Sequence, residues 1–375
     1  MSSIRFAWTE PGAAAGFRAG VSLHSHTLHS LENLTFIPRI AARIPALASA
    51  LTRQYDKYRD VHGHELDLAN AFWTPPLSAL EAHQLETAQI EQMDLRALVS
   101  LSDHDNIEAA GRLRLIPDTA GAPVSVEWTV PFRETFFHLG VHNLPPAKSH
   151  AMMEAMAEFT AVPRLERLPE ILEWISWNEG VLVVFNHPCW DEKGIGHERH
   201  ISLVRSLMET CGRYIHAFEL NGLRPWDENR RAAALAKSAQ RPVISGGDRH
   251  GCEPNANINL TNAATFAEFV GEVRNDNVSR VLFLPQYAEA LPVRQIQCIA
   301  HVLGDRPSHS LGQTRWNDRT FYRHPSGEMQ PLSTAWKRGA PWMVNCFVNL
   351  VRFSQRRHVQ NVLKTWLPPP REFAS

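Results

Sequence analysis

The sequence lacks the features that identify several large classes of protein. Its five cysteines are scattered and contain no Cys-x-x-Cys pair, which argues against a disulfide framework or a zinc knuckle and predicts reduced thiols. The longest apolar stretch near the C-terminus covers about residues 339–351, too short to span a bilayer, and it predicts a buried helix. The first residues show no charged leader followed by an apolar segment, so we expect a cytoplasmic location.

An excess of one charge is also missing. The 38 Lys and Arg residues nearly balance the 39 Asp and Glu residues, so there is no bulk electrostatic reason to expect a nucleic-acid partner. Neither a Gly-x-Ser-x-Gly motif nor a phosphate-binding P-loop is present. Histidine, in contrast, is abundant: the 375 residues include 19 histidines, almost as many as the 20 glycines.

Short apolar runs, each followed by a polar cluster, recur along the first two thirds of the chain. Such runs, bounded by turn residues, predict buried strands of a parallel sheet. We predict strands at residues 21–23, 95–101, 123–126, 181–185, 215–218 and 242–245. Segments with apolar residues at helical spacing lie between several of them, at residues 77–92, 168–177, 201–211 and 229–239.

Alternating strands and helices predict an α/β fold whose ligand site gathers at the carboxyl ends of the strands. Two regions do not fit the alternation. Residues 33–73 are too many for a plain loop and predict an inserted helical element. Residues 281–375 carry 12 Lys and Arg against 5 Asp and Glu, and we expect this basic extension to be a solvated face that docks on a more acidic body.

The polar clusters contain the residue types that bind metal ions. His24 and His26 follow a predicted strand, and residues two apart at a strand end point the same way, so both imidazoles can reach one cation. Asp248 and His250 repeat that spacing after another strand. Further candidates at strand ends or beside a predicted hairpin are His104, Glu127, His138 and His187.

Six blocks of sequence in this order resemble the PHP (polymerase and histidinol phosphatase) superfamily. They are LHSHT, SLSDHDN, SVEW, FFHLG, FNHP and SGGDRHG, which lie between residues 21 and 251. The resemblance implies a distorted (β/α)7 TIM-like barrel over residues 15–280, with the insertion at about 33–73 after the first strand and residues 281–375 as a C-terminal extension packed on the barrel.

The resemblance also implies two or three divalent metal ions (Mn, Zn or Fe) and their ligands. The first ion would be held by His24, His26 and Asp248, the second by His138 and His187, and the third by His104 and His250, with Glu127 between the first two. Where the family usually has a further ligand of the third ion, this sequence has Leu31 and Glu32. Glu32 could substitute or could point to solvent, and the other candidates are His29, His62, His64 and Asp67.

The function implied is that of a metal-dependent phosphoesterase, in which metal-bound hydroxide hydrolyses a small phosphomonoester or a nucleotide. Asp103 and Arg249 are candidate catalytic residues, although Asp103 could instead orient its loop. Weaker candidates for substrate contact are Arg133, Lys193 and Trp190. Two alternatives stay open: a metallohydrolase of the amidohydrolase type that acts on other bonds, and a PHP-like scaffold without catalysis. We expect a small phosphorylated substrate as partner and no membrane partner.

Overall fold

The structure is a computed structural model that describes residues 2–34, 45–65, 67–337 and 339–367. Within these ranges the chain forms 14 strands and 12 helices. The strands are β1 (Ser2–Phe6), β2 (Ala19–Leu23), β3 (Glu32–Asn33), β4 (Asp67–Trp73), β5 (Arg96–Ser100), β6 (Val124–Phe132), β7 (Thr135–Leu144), β8 (Leu182–Asn186), β9 (Ala217–Asn221), β10 (Val243–Gly246), β11 (Asn257–Thr261), β12 (Ser279–Phe283), β13 (Thr320–Arg323) and β14 (Met329–Pro331).

The helices lie mostly between these strands, as the sequence pattern predicts. They are α1 (Pro45–His62), α2 (Ala79–Glu91), α3 (Glu108–Arg114), α4 (Ser149–Ala161), α5 (Arg167–Ser176), α6 (His197–Cys211), α7 (Trp226–Ser238), α8 (Phe266–Arg274), α9 (Leu291–Val302), α10 (Leu332–Ala335), α11 (Trp342–Ser354) and α12 (Arg357–Trp366). The predicted α/β class is confirmed, since helices alternate with strands over most of the chain.

Two five-stranded sheets carry the site residues. Their strand orders are β1-β12-β11-β2-β5 and β10-β9-β8-β7-β6. The neighbours β2 and β5 are parallel, and so are β8, β9 and β10. The pairs β6·β7 and β7·β8 are antiparallel, because a tight turn at Arg133, where φ is +54°, reverses the chain between β6 and β7. The sheets are therefore mixed rather than wholly parallel.

The two sheets meet at two seams, each formed by two or three backbone hydrogen bonds. Among them, Gly247 N donates to Leu23 O (2.9 Å) at one seam, and Glu127 N donates to Asp103 O (3.0 Å) at the other. The closed (β/α)7 barrel implied by the resemblance is not confirmed: within the residues described, β5 and β10 end before the seams, and the loops that follow them continue the pairing through isolated bridges. These loops bring the carboxyl ends of both sheets together.

The inserted region and the C-terminal extension join in one small sheet. Its order is β14-β13-β4-β3, so that β13 from the extension pairs with β4 from the insertion. The predicted inserted helix is present as α1. A domain boundary at residue 281 falls inside β12, which pairs with β1 and β11. Because β3 contains Glu32, this small sheet also positions a candidate metal ligand.

The apolar stretch at residues 339–351 is not a buried helix, so that prediction is wrong. It lies mostly in α11, and within this helix only Val348 is buried. Hydrophobicity alone does not reveal whether another element covers a helix, and here α11 packs on α9 through one side only. No helix in the described part of the chain is long and apolar enough to cross a membrane.

Helix α2 brings a carboxylate beneath the end of β2. It begins at Ser78, whose hydroxyl accepts a hydrogen bond from Glu81 N (3.3 Å), while the Glu81 carboxylate accepts one from Ser78 N (2.9 Å). This reciprocal pair satisfies backbone donors that the first helical turn leaves free. Its buried face consists of Ala79, Ala82, Glu86 and Ile90, at helical spacing. The cap therefore fixes the helix that delivers Glu86.

We expect Ser78→Ala to lower the free energy of unfolding by about 1 kcal/mol, because it removes the acceptor for Glu81 N. The measurement is urea unfolding followed by circular dichroism. Ser202→Ala, at an exposed position inside α6, is the matched control and should change stability by no more than about 0.5 kcal/mol. Equal stability of the two variants would show that the cap does not hold α2.

Candidate metal centre

Several candidate ligands follow strand ends in an unusual backbone conformation. His24 after β2, His187 after β8 and Asp248 after β10 all have positive φ, at +61°, +27° and +54°. The left-handed region is costly for residues other than glycine and is tolerated where the surrounding structure enforces it, as at functional sites. Each of these turns brings a side chain into the space between the two five-stranded sheets.

Glu127 lies at the centre of the cluster and is almost completely buried, with 1% of its surface exposed. Its Oε2 is 2.9 Å from His24 Nε2, 3.4 Å from His26 Nε2 and 3.3 Å from His104 Nε2. Its Oε1 faces the opposite side. There it lies 3.1 Å from His187 Nε2 and 3.6 Å from His138 Nδ1. One carboxylate therefore contacts five imidazoles, as a bridge between neighbouring cations would.

His24, His26 and Asp248 form one group of potential ligands. Asp248 Oδ1 is 3.6 Å from His24 Nε2 and 3.5 Å from His26 Nε2. Both imidazole Nε2 atoms are buried and have no hydrogen-bond partner, although carboxylate oxygens surround them. Buried nitrogens left without a partner are costly, and a divalent cation would satisfy both.

Glu32 turns inward, toward the group expected to hold the third ion. Its Oε2 lies 3.4 Å from His104 Nε2 and 3.3 Å from His250 Nε2, and its Oε1 lies 3.6 Å from His26 Nδ1. Ser30 donates a hydrogen bond to Glu32 (2.6 Å), and the exposed fraction of Glu32 is 7%. The solvent-facing alternative does not agree with this burial. Ligand atoms of His26, Glu32, His104 and His250 all lie within 4.8 Å of one another.

The other residues considered for the third ion lie elsewhere. His64 is half-buried, and its Nδ1 contacts the carbonyl of Glu65. The Asp67 carboxylate accepts hydrogen bonds from Asn70. Neither residue, nor His29, belongs to a group of potential ligands in the described part of the chain. The side chain of His62 lies outside the residues described.

A second ring of side chains orients the imidazoles. The Glu219 carboxylate is 2.5 Å from His24 Nδ1 and accepts a hydrogen bond from His187 N (2.7 Å). A Cβ on Gly246 would lie 1.6 Å from Glu219 Oε1, so only glycine fits beside this carboxylate. A carboxylate on the far nitrogen of a metal-binding histidine fixes its tautomer and raises its basicity. The sequence signal for Glu219 is its position directly after a predicted strand, at residues 215–218.

Asp103 holds the loop that contains the first histidines. Its carboxylate accepts hydrogen bonds from Thr27 N (2.5 Å) and Thr27 Oγ1 (2.7 Å). Burial raises the pKa of Asp103 to about 7, while the bonds from Thr27 oppose that rise. These contacts favour the alternative in which Asp103 orients its loop over a catalytic role.

Arg249 is fully buried behind the cluster instead of facing a substrate. Its Nε donates to Glu86 Oε1 (2.6 Å) and its Nη1 to the Gly251 carbonyl (2.5 Å). The same Glu86 carboxylate accepts hydrogen bonds from Ser22 (2.7 Å) and Ser25 (2.8 Å). This ion pair therefore links the loop after β2 to the loop after β10, which points to a positioning role for Arg249 and not to contact with substrate.

Two cations lie behind aromatic rings that touch the cluster. The Arg224 guanidinium carbon is 3.6 Å from the centre of the Trp190 ring, which is 5.0 Å from the His187 ring. The Lys193 ammonium is 5.2 Å from the Phe136 ring, which is 5.2 Å from the His138 ring. Lys193 and Trp190 were predicted as weak candidates, and Arg224 was missed because it lies outside every motif. In each case a single aromatic ring separates the cation from a candidate metal ligand.

The charge states in the cluster suit a cation. Burial opposes ionisation of Glu127 and Asp248, but the surrounding histidines hold the pKa of each carboxyl well below its usual range. Burial lowers the pKa of His26 to about 4, whereas nearby carboxylates, acting against burial, raise the pKa of His24 and His104 and bring that of His250 to about 9. Ionised carboxylates and neutral imidazoles are the forms that bind metal, so a bound cation would displace protons from these histidines. The donor set therefore fits divalent ions such as Mn, Zn or Fe, which accept mixed nitrogen and oxygen ligands.

Comparisons with known proteins leave the family open. No family model and no curated protein matches the chain. An amidohydrolase from Chromobacterium violaceum, solved with bound sulfate and no metal, is 16% identical with a TM-score of 0.35, and the match covers 47% of this chain and 83% of that one. A protein from Bifidobacterium adolescentis described as a metal-dependent phosphoesterase is 15% identical with a TM-score of 0.33, covering 53% and 91%. PsfC from Pseudomonas syringae is 15% identical with a TM-score of 0.36, covering 72% and 93%. Likeness at this level does not identify a function.

We expect Glu219→Gln to weaken binding of divalent metal roughly 10- to 100-fold, because a neutral amide supports the His24 ring less well than a carboxylate. The measurement is competition for the metal with a chromophoric chelator. Glu272→Gln is the matched control, since Glu272 accepts a hydrogen bond from Thr261 at the opposite end of the sheet. Unchanged metal affinity in Glu219→Gln would mean that Glu219 does not support a ligand.

Proposed function

We propose that the chain is a metal-dependent phosphoesterase that hydrolyses a small phosphomonoester or a nucleotide. One observation carries the proposal: six imidazoles and three carboxylates converge in a buried space around Glu127. The ligands we propose are His24, His26, Glu32, His104, Glu127, His138, His187, Asp248 and His250. Glu127 belongs to two of the groups of potential ligands, and it would take the bridging place that a carbamylated lysine has in many amidohydrolases.

Charge balance favours a phosphate substrate. Glu32, Glu127 and Asp248 contribute three negative charges when ionised, whereas two or three divalent ions bring four or six positive charges. The loaded site keeps a positive surplus, which attracts a phosphate dianion. When bound, the ions would polarise the phosphoryl group and promote deprotonation of a water molecule.

The chain's own residues would hold and orient the reacting groups. Glu219 keeps the His24 ring in place, and the pair of Glu86 and Arg249 fixes two ligand loops relative to each other. The Trp73 ring lies 5.8 Å from the His250 ring. Most of the proposed ligands are buried, and exclusion of water strengthens the electrostatic interactions inside a site.

Phosphate release from a panel of phosphomonoesters and nucleotides, with Mn added, tests the proposal directly. We expect turnover that His24→Ala and Asp248→Asn each reduce at least about 100-fold, because both substitutions remove a ligand of the first group. His197→Ala, at an exposed position in α6, is the control and should retain activity.

The same protein is offered amides and lactones in parallel. Hydrolysis of these bonds with no phosphate release would identify an amidohydrolase-type enzyme and overturn the proposal. Full phosphatase turnover in either ligand variant would also contradict it, since the activity would then belong to another site or to a contaminant.

Arg224 and Lys193 lie where they could attract an anionic substrate. Arg224 Nε is buried and has no hydrogen-bond partner, so an incoming anion could supply one. We expect Arg224→Gln to raise KM for a phosphate ester about tenfold with a smaller change in kcat, as loss of one charge-assisted hydrogen bond predicts. Arg213→Gln is the control, because Arg213 stacks on Tyr214 before β9, away from the ligands. An unchanged KM in Arg224→Gln would exclude this contact.

A further inference from the structure

The two C-terminal helices expose an unusual number of large apolar side chains. In α11 the exposed fractions are 72% for Trp342 and 67% for Leu350. In α12 they are 54% for Val362 and 80% for Trp366. Isolated exposed apolar residues are ordinary, but several on adjacent helices mark a surface that binds something.

These side chains are spaced so that they share a face of each helix. In α11, Trp342, Cys346, Leu350 and Phe353 recur every three or four residues, and all four are exposed. In α12, Val362 and Trp366 are four residues apart. Residues at this spacing form one continuous stripe along a helix. We call these six residues the C-terminal apolar stripe.

Other side chains fasten the helices to the rest of the protein. Arg352 donates to the Leu303 carbonyl (2.7 Å) and to Asp305 (2.6 Å), while Lys364 donates to Glu289 (2.7 Å). Gln297 donates to Gln360 (3.0 Å). The helices are therefore held by polar contacts to α9 and its flanking segments, and the stripe remains available to another surface.

The sequence around the stripe has cations and no acids. Between Glu328 and Glu372 there is no Asp or Glu, whereas the same stretch contains Lys337, Arg338, Arg352, Arg356, Arg357, Lys364 and Arg371. Arg356 and Arg357 are exposed and form no ion pair within the residues described. The Arg356 guanidinium lies 4.8 Å from the Phe353 ring, so positive charge stands directly beside the stripe.

We propose that this surface binds reversibly to an anionic phospholipid bilayer, with α11 and α12 lying in the headgroup region. Amphipathic helices that combine Trp, Phe and Leu with Lys and Arg bind at membrane surfaces without crossing them. Tryptophans near the ends of the surface, at positions 342 and 366, suit the interface between lipid and water. The expectation of no membrane partner came from the absence of a spanning segment, and a segment that lies on the surface needs none.

A second copy of the chain is a poorer occupant. In a two-fold dimer the same surface meets itself, which would place the Arg356 and Arg357 cations of both copies in one interface. Like charges that face each other without acids between them repel. Lipid phosphates supply the missing negative charge, and acyl chains cover the apolar side chains.

Sedimentation of the full chain with vesicles tests the proposal. We expect binding to vesicles of phosphatidylcholine mixed with phosphatidylserine, and much weaker binding to phosphatidylcholine alone. Because exposed charges are screened beyond roughly 10 Å at about 0.1 M salt, binding should weaken as salt is raised. Reversal of two cations in Arg356→Glu/Arg357→Glu should lower the affinity at least about tenfold, since each cation near the bilayer is worth about a fivefold factor.

Trp366→Ser tests the apolar contribution and should also lower the affinity about tenfold. Trp177→Ser is the matched control, because Trp177 is 83% exposed and follows α5, outside the stripe. Lys148→Glu/Arg164→Glu is the control for charge, and both residues are exposed. All four variants should keep the metal content of the parent protein, which shows that they are folded.

Equal binding to neutral and anionic vesicles, or none to either, would overturn the proposal. So would equal losses in the control and stripe variants. Light scattering at rising protein concentration tests whether the chain forms a dimer. A dimer that Trp366→Ser abolishes would assign the stripe to a second copy of the chain and contradict membrane binding.

Discussion

Three buried carboxylates must stay ionised without a lysine or arginine beside them, and the rest of the site follows from that constraint. Glu127 contacts five imidazoles and no other cation. Burial of a carboxylate is costly, and the imidazoles compensate it only when they are protonated, whereas their neutral form is the one that binds metal. Divalent cations would supply the missing charge and satisfy the unpartnered nitrogens of His24 and His26. The same positive charge suits a phosphate substrate.

Much of the surrounding structure serves to hold these groups in place. The turns at His24, His187 and Asp248 adopt positive φ, which the hydrogen bonds of the neighbouring loops must stabilise. The Asp103 carboxylate holds the backbone of Thr27, and the Glu86–Arg249 pair joins two ligand loops beneath the cluster. The sequence motifs suggest a catalytic role for Asp103 and Arg249. In the structure, both residues position the loops that carry the candidate ligands.

The sequence predicts the strand ends well, because they depend on local patterns, and the candidate ligands that follow them lie close together. Short apolar runs ending in His or Asp gave β2, β8 and β10, together with their histidines and Asp248. Contacts between distant segments could not be predicted from local patterns. Examples are the contact of Glu219 with His24 and the pairing of β13 with β4. The burial of Arg249 and the exposure of α11 were missed for the same reason, since both depend on which element packs on which.

Elemental analysis of the full chain, purified without chelator, measures the metal that the cluster around Glu127 is proposed to hold. We expect two or three equivalents of Mn, Zn or Fe per chain, falling below about one in Glu127→Gln, because the central carboxylate faces most of the imidazoles. Glu272→Gln should keep the parent content. A parent protein that binds none of these metals, even when they are added in excess, would contradict the account.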